Sequence, residues 1–341
     1  MSRSTQRRIR AVIVGLGRAG AIAPAVQASD GATVLRSHAA ALLAVPAFEI
    51  VGLVDCDPAR RTKAVRMHPA LRQCRFELSV AAIADVSTDL IVLSTPTEVR
   101  DVPFRDSLLM RPRLMLVEKP LGADSKVAHR MVLAAERAGV ELRVNFSRRF
   151  DPAIRRFRRA MPTTPTLVIG RYNKGLRNYA SHLIDLLVDW FGPPTHVRAL
   201  ESDLLGKDPN VSFVCTFPGG WRAYVLAVPG AKYDQFEVDF HFPKGRMEMT
   251  NNGVEKRTFA AVANLYYPGY AHLVEQIRLR NVTPTSGYVE FYRAVARAWR
   301  GGRLLPGCTG EQAATNIRIT DAVLRSAALG SREIKFFGEA A

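Results

Sequence analysis

The stretch Arg10–Gly20, RAVIVGLGRAG, decides how the rest of the chain is read. Four consecutive apolar residues, Ala11 to Val14, run into Gly15, Gly17 and Gly20, the pattern of a buried parallel strand that turns sharply into a helix. Each glycine has its own reason: Gly15 permits the tight turn, Gly17 leaves no side chain between backbone and pyrophosphate, and Gly20 lets the helix pack close to the strand. The helix N-terminus then offers free N–H groups and partial positive charge to phosphates. Gly15, Gly17, Arg18, Ala19 and Gly20 are therefore expected to bind a dinucleotide. The competing reading is an ordinary glycine-rich turn, and the apolar strand directly before it speaks against that.

Outward from this turn, the next strand is EIVGLVDCDP, ending at Asp55. An acidic residue at such a strand end accepts hydrogen bonds from the adenosine ribose and repels a 2′-phosphate, so Asp55 points to NAD, with NADP as the alternative because Arg18, Arg60 and Arg61 are near in sequence. Asp55 lies 35 residues beyond Gly20, against about 20 in the simplest unit, so part of 21–36 must be looped out. Pro24 and the Ser29-Asp30-Gly31 turn fit that, and helical pattern resumes at Ser37–Leu43. Two further apolar runs, DLIVLSTPT and RLMLVEKPL, place Ser94, Thr95 and Pro96, and then Glu118, Lys119 and Pro120, at strand C-terminal ends, where ligands of open α/β sheets sit. A helix, ADSKVAHRMVLAAERAG, and a strand, VELRVNF, complete a doubly wound parallel sheet over residues 1–146.

From 147 the pattern changes. After an arginine-rich helix, TLVIGRYNKG reads as a strand and NYASHLIDLLVDWFG as a helix with Leu183, Ile184, Leu187 and Trp190 at helical spacing. VSFVCTF, WRAYVLAV, DQFEVDFHF and RMEMTN are alternating strands between Gly, Pro and Asn turns, and two amphipathic helices close the chain. The expected fold class is thus α/β plus α+β: an N-terminal Rossmann domain, 1–146, and a second domain, 147–341, built on an open, mostly antiparallel sheet. At 341 residues the chain exceeds what one core usually serves, which agrees with two domains.

Composition bounds the function. No run of about 18 uncharged apolar residues occurs, so no membrane span is expected, and the basic N-terminus passes straight into a strand, as a short solvated tail of a cytoplasmic protein. The cysteines Cys56, Cys74, Cys215 and Cys308 lack CxxC spacing, and His38, His68, His129, His196, His241 and His272 lack ligand spacing, so no metal is assigned. The formal net charge of +17 is spread over both halves, which disfavours a nucleic-acid-binding arm and leaves an anionic small molecule. The densest cluster puts Arg155, Arg156, Arg158 and Arg159 on one helix side and Ile154, Phe157 and Met161 on the other, as a solvated face or a phosphate-attracting rim. No GxSxG, Walker or zincin motif supports a hydrolase or kinase.

GLGRAG, VGLVDCDP, STPTEV, VEKPLG, NFSRRFDP, SHLIDLLVDWFG and TDAVLRSAALG stand in the order and spacing of the Gfo/Idh/MocA oxidoreductases, the glucose–fructose oxidoreductase and inositol dehydrogenase family, which the whole chain resembles. The resemblance implies reversible hydride transfer between a nicotinamide cofactor and a sugar or cyclitol carbon, with 147–341 as the substrate-binding and oligomerisation domain, Glu118 supporting the nicotinamide ribose and a cis peptide before Pro120. Oxidising a carbinol needs a group that polarises the oxygen and one that relays its proton. Lys119 suits the first role and His182 the second; otherwise they are a strand-end surface lysine and a helix-cap histidine. Many relatives carry Asp four residues before the histidine, where this chain has Asn178, which hydrogen-bonds a hydroxyl without taking its proton. Asp185, one turn past His182, either orients it or faces solvent. Arg149, Asn178 and Asp185 are candidate substrate contacts, and Arg100, in place of a frequent histidine, suggests an altered pocket rim.

These readings lead to an NAD(P)-dependent oxidoreductase acting on a sugar, cyclitol or nucleotide-linked sugar, as a homodimer or homotetramer. An NADPH-dependent keto-sugar reductase, redox-assisted glycoside cleavage and a non-catalytic cofactor-binding or nucleic-acid-binding regulator stay open beside it.

Overall fold

The apolar run that precedes the glycines forms strand Ile9–Val14, with Ala11, Val12 and Ile13 fully buried. It lies inside a seven-stranded sheet and is flanked in parallel by Phe48–Val54 and Leu90–Leu93. Arg75–Glu77 extends the first side; Leu114–Val117 and Glu141–Val144 extend the other, all parallel, and Cys308–Thr309 closes it antiparallel. Strand order reverses between Ile9–Val14 and Leu90–Leu93, the switch point of a doubly wound sheet. A sheet covered on both faces needs apolar residues on both, and Leu90–Leu93 and Leu114–Val117 are buried at every position.

The computed structural model describes residues 7–27, 33–203, 206–280 and 287–336. The first crossover is broken, as the Gly20-to-Asp55 spacing demands. Arg18–Ile22 is a single π turn, Val26–Gln27 pairs with Thr33–Val34, and helix resumes only at His38–Leu43, where the Ser37 hydroxyl accepts from the Ala40 N–H at 3.3 Å. Pro24 has no N–H to continue the turn. Residues 28–32 of the expected 21–36 insertion, and residues 1–6 of the expected basic tail, lie outside the described residues.

Two compact units divide the chain: Met1–Pro152 with Thr285–Ala314, and Ala153–Pro284 with Thr315–Ala341. The sequence boundary at 146/147 left the helix Gly287–Arg300 in the second domain; its apolar face, Val289, Phe291, Tyr292 and Val295, instead joins the core of the first unit. Helical periodicity tells which face is buried but not which core receives it.

The second unit is a nine-stranded sheet ordered Ala271–Arg280, Glu255–Ala263, Gly245–Thr250, Phe236–Phe242, Leu167–Tyr172, Arg222–Ala227, Asn210–Thr216, His196–Asp203, Ile334–Lys335. All neighbours are antiparallel except Arg222–Ala227 beside Leu167–Tyr172. Helix Ser181–Phe191 packs on one face: a Cβ at Gly170 would meet Leu183 Cδ2 at 2.2 Å, so the glycine admits the helix. His196–Asp203, Glu255–Ala263 and Ala271–Arg280 escape a sequence reading of the strands. The last runs along the sheet edge with its described residues almost all exposed, so no buried face imposes alternation. No helix among the described residues is long and apolar enough to cross a membrane.

Candidate functional site

The glycine turn is held by its own backbone. Gly15 has φ +89°, and a Cβ on it would stand 2.8 Å from the Ser94 carbonyl carbon; a Cβ on Gly20 would stand 1.9 Å from the Gly15 oxygen. Ser94 donates its hydroxyl to the Gly15 carbonyl at 2.6 Å, bringing the STPT segment against the turn. Gly17 differs: its φ of −63° suits any residue and an added Cβ would meet nothing within 4 Å. The described residues give no reason for a glycine there, and the open space is of the kind that a close approach of pyrophosphate requires. Thr95 Oγ1 is buried with no hydrogen-bond partner among the described residues. Arg18 is exposed, Ala19 half-buried and Pro96 exposed beside them.

Asp55 is buried at the end of its strand, with Oδ2 accepting from the Leu16 N–H at 2.7 Å and Oδ1 from the Asp57 N–H at 2.9 Å. Leu16 lies between Gly15 and Gly17, so this carboxylate clamps the glycine turn, a duty its position in sequence does not reveal. Arg60 stands 3.4 Å from Oδ2.

Arg100 corrects an expectation. It is no pocket rim but a buried staple: its guanidinium donates to the Glu118 carbonyl at 2.7 Å, to the Pro120 carbonyl, and to the Thr95 carbonyl at 2.6 Å. Burial lowers its pKa to about 10, with Glu118 and Glu98 opposing. A planar fork of donors joins the two strand-end loops where a histidine ring offers two nitrogens.

Glu118, Lys119 and Pro120 follow strand Leu114–Val117, and the Lys119–Pro120 peptide is cis, as the resemblance implies. Glu118 Oε1 accepts three hydrogen bonds, from Asn145 Nδ2 at 2.7 Å, His38 Nε2 at 3.0 Å and the Tyr288 hydroxyl at 3.1 Å. Burial pushes this carboxyl up, but the bonds and charge of His38 and the bonds from Asn145 and Tyr288 outweigh it and hold it below the ordinary carboxylate range. None of these three donors is on Oε2, and the side chain is 13% exposed, so that oxygen keeps its capacity to accept. Lys119 is half-buried. Asn145, within the quoted NFSRRFDP motif, and His38, Tyr288 and Tyr292 are the residues that sequence reasoning missed; their shared signal is only a polar group inside an otherwise apolar helix face or strand end.

In the second unit, His182 and Asp185 lie one turn apart on helix Ser181–Phe191, both buried. Asp185 is 1% exposed, which removes its solvent-facing alternative. Asn178 is exposed on the π turn Leu176–Ala180 that enters the helix. Asp208 caps that turn, accepting from the Arg177 and Asn178 N–H groups at 2.8 Å each. Asn178 Nδ2 donates to the Lys174 carbonyl at 3.2 Å, a bond that a carboxylate there could not make, which gives the asparagine a local cause. Arg149, in the first unit, donates to Gln312 Oε1 at 2.8 Å. Arg155, Arg156 and Arg159 are exposed while Arg158 stacks over Phe191 at 5.3 Å, so that cluster is a solvated face with one packed member. Burial raises the Cys215 thiol to about 12, which makes it unreactive.

Residues 9–146 match the family described as Gfo/Idh/MocA, an oxidoreductase family with an NAD-binding Rossmann fold. No curated protein matches the chain. Among solved structures, it is similar to the WlbA dehydrogenase from Bordetella pertussis in complex with NADH and UDP-GlcNAcA, with TM-score 0.74, 18% identity, and coverage of 98% of this chain and 100% of that one. It is also similar to the UDP-N-acetylglucosamine 3-dehydrogenase GnnA from Acidithiobacillus ferrooxidans, with TM-score 0.73, 17% identity and coverage of 93% and 96%. An oxidoreductase from Agrobacterium radiobacter in complex with NAD+, L-tartaric acid and magnesium gives TM-score 0.74 at 13% identity, with coverage of 96% and 98%. At these identities the likeness establishes the fold of both units.

Proposed function

We propose, from the match of residues 9–146 to the Gfo/Idh/MocA oxidoreductase family with its NAD-binding Rossmann fold, a dehydrogenase of that kind that exchanges hydride with a carbinol or ketone carbon of a sugar, cyclitol or nucleotide-linked sugar. The observation that carries the reading is the strand-end segment Glu118-Lys119-Pro120, where Glu118 is saturated on Oε1 and open on Oε2. Gly17 would leave room for the pyrophosphate, Ser94 to Pro96 line the same end of the sheet, and Glu118 Oε2 would accept from a nicotinamide-ribose hydroxyl. Bound nicotinamide supplies the hydride acceptor or donor. Lys119 holds and polarises the carbinol oxygen as a cation, and His182 exchanges its proton, since an imidazole nitrogen can both accept and donate one. Asn178, Asp185 and Arg149 are read as substrate contacts.

NAD is favoured over NADP because the Asp55 carboxylate repels a 2′-phosphate; Arg60 at 3.4 Å supports the second reading, a reductase using NADPH. A nucleotide-linked sugar is supported by the net charge of +17, by the UDP-GlcNAcA bound to the WlbA neighbour and by the nucleotide sugar named for GnnA. We read the protein as a cytoplasmic homo-oligomer: Leu265 and Tyr266 are 90% and 89% exposed, apolar surface that a second copy would cover. The test is oxidation or reduction of NAD(H) and NADP(H) with a panel of sugars, cyclitols and nucleotide sugars. Turnover with a carbinol or keto sugar supports the reading, and cofactor binding without turnover on any member contradicts it.

A further inference from the structure

His38 and Tyr292 stand behind Glu118, and nothing in the proposed reaction uses them. Both are fully buried, His38 on the first turn of helix His38–Leu43 and Tyr292 on helix Gly287–Arg300. His38 Nε2 is 3.0 Å from Glu118 Oε1 and Nδ1 is 2.7 Å from the Tyr292 hydroxyl. An ionised carboxylate oxygen only accepts, so Nε2 carries the hydrogen. In the neutral ring Nδ1 is then the acceptor, and the Tyr292 hydroxyl donates to it. In the cation Nδ1 donates and the same hydroxyl accepts, so Tyr292 serves both states of the ring. Tyr288 meets the imidazole edge-on at 4.8 Å and Tyr292 at 6.0 Å, which fixes its plane.

We infer that His38, backed by Tyr292, is a positioning residue for Glu118. It pins the carboxylate through Oε1 and keeps it ionised, so that Oε2 alone meets the nicotinamide ribose and cofactor affinity does not vary with pH near and below neutrality. The inference rests on the proposed role of Glu118 as an acceptor for that ribose.

The broken crossover fits this duty. After the π turn the chain leaves the sheet, yet it returns in time for Ser37 to cap a six-residue helix whose first residue is His38. So short a helix is marginal by itself and is held by its buried residues. His38 thus spends a core position on a polar ring, which is costly unless both nitrogens are bonded.

The electrostatics point the same way. Burial is the largest influence on the Glu118 carboxyl and pushes it up, while the hydrogen bond and charge of His38, followed by Asn145 and Tyr288, bring it down past the ordinary range. These are the groups that face it: His38 from its helix, Tyr288 from Gly287–Arg300, Asn145 from the end of Glu141–Val144, and the charge of Arg100, which feels Glu118 in return. Without His38, burial meets only the two neutral donors Asn145 and Tyr288 and the charge of Arg100. The carboxyl then rises, and protonation costs it acceptor strength as pH falls. The wild type, its carboxyl already low, stays flat between about pH 8 and about pH 5.5.

NADH titration of the full chain by fluorescence quenching at both pH values tests this, using His38→Leu, His38→Gln, Tyr292→Phe and Glu118→Gln. Leucine and glutamine fill similar space, but only glutamine offers a donor. His38→Leu is expected to bind NADH roughly tenfold more weakly at the higher pH, a hydrogen bond to a charged group, and weaker still at the lower one. His38→Gln should regain most of the affinity with a flat profile, and Tyr292→Phe should show a smaller loss in the same sense as His38→Leu. If leucine and glutamine behave alike and neither acquires a pH slope, His38 is only packing and the inference fails. If Glu118→Gln weakens NADH while His38→Leu does not, the inference fails and the role of Glu118 stands; if Glu118→Gln binds like wild type, both fall. Should His38→Leu not fold, Tyr292→Phe and His38→Gln still decide, since a pH slope in the first and none in the second is the expected pair.

Discussion

In the glycine turn of the first unit, the chain's own atoms account for Gly15 and Gly20 but not for Gly17, which has an ordinary backbone and open space around its missing side chain. Around the helix that carries His182 in the second unit, the chain's own atoms account for much more. Asp208 caps the entry turn, Asn316 Nδ2 donates to the Ser181 carbonyl at 2.8 Å, Tyr179 donates to Asn252 Oδ1 at 2.9 Å, and Gly170 makes room for Leu183. The difference teaches where to look for a ligand. A residue whose identity the folded chain explains says little about binding, whereas Gly17, Oε2 of Glu118 and Thr95 Oγ1 are provisions that no described residue uses. The cofactor side of the account thus rests on space and unspent acceptors, and the catalytic assignment of His182 on the chemistry of its residue type.

The largest expected effect breaks that comparison at its weaker side. Lys119→Ala and His182→Ala should each lower turnover by about 10²- to 10⁴-fold, the contribution of a positioned acid–base group, with NAD(H) affinity nearly unchanged. Initial rates with the substrate found in the panel, beside cofactor titrations, check both halves of the statement. If both variants keep full turnover, the reacting groups lie elsewhere.

The next effect is on stability. Gly20→Ala puts a methyl 1.9 Å from the Gly15 oxygen, a contact with backbone that no side-chain motion relieves. Thermal unfolding should register a loss of about 3 kcal/mol, the upper end of overpacking, and a loss under about 0.5 kcal/mol would mean the turn is looser than described.

These two experiments also mark what was legible beforehand. The parallel sheet, the glycine turn and the second, antiparallel sheet followed from apolar runs and turn residues, because burial on both faces leaves an unmistakable record in Leu90–Leu93 and Leu114–Val117. The Glu118 cluster left none: His38, Asn145, Tyr288 and Tyr292 come from three separate stretches, and only folding shows that they converge on one oxygen or on the ring behind it. Arg100 was misplaced for the same reason, since its partners are backbone carbonyls, which no side-chain pattern announces. The edge hairpin of the second sheet was missed because exposure on both faces erases alternation.

A smaller effect separates the two duties of Asp55. Asp55→Ala removes the acceptor of the Leu16 N–H and should cost about 1–3 kcal/mol in unfolding free energy, whereas Asp55→Asn keeps an oxygen there and should cost less. If the carboxylate also sets the cofactor, Asp55→Asn should narrow the preference for NAD(H) over NADP(H) by roughly tenfold, about the value of one lost charge–charge contact. An unmodified protein that binds NADP(H) as well as NAD(H) would leave Asp55 with the clamp alone.

Gly17 carries the central claim that the open space at the turn belongs to the pyrophosphate. The direct measurement is NADH titration and thermal unfolding of Gly17→Val side by side with the wild type. With φ −63° and nothing within 4 Å of the new Cβ, the variant should unfold within about 0.5 kcal/mol of the wild type yet bind NADH at least ~100-fold more weakly. A variant that is equally stable and binds NADH with unchanged affinity would contradict the account.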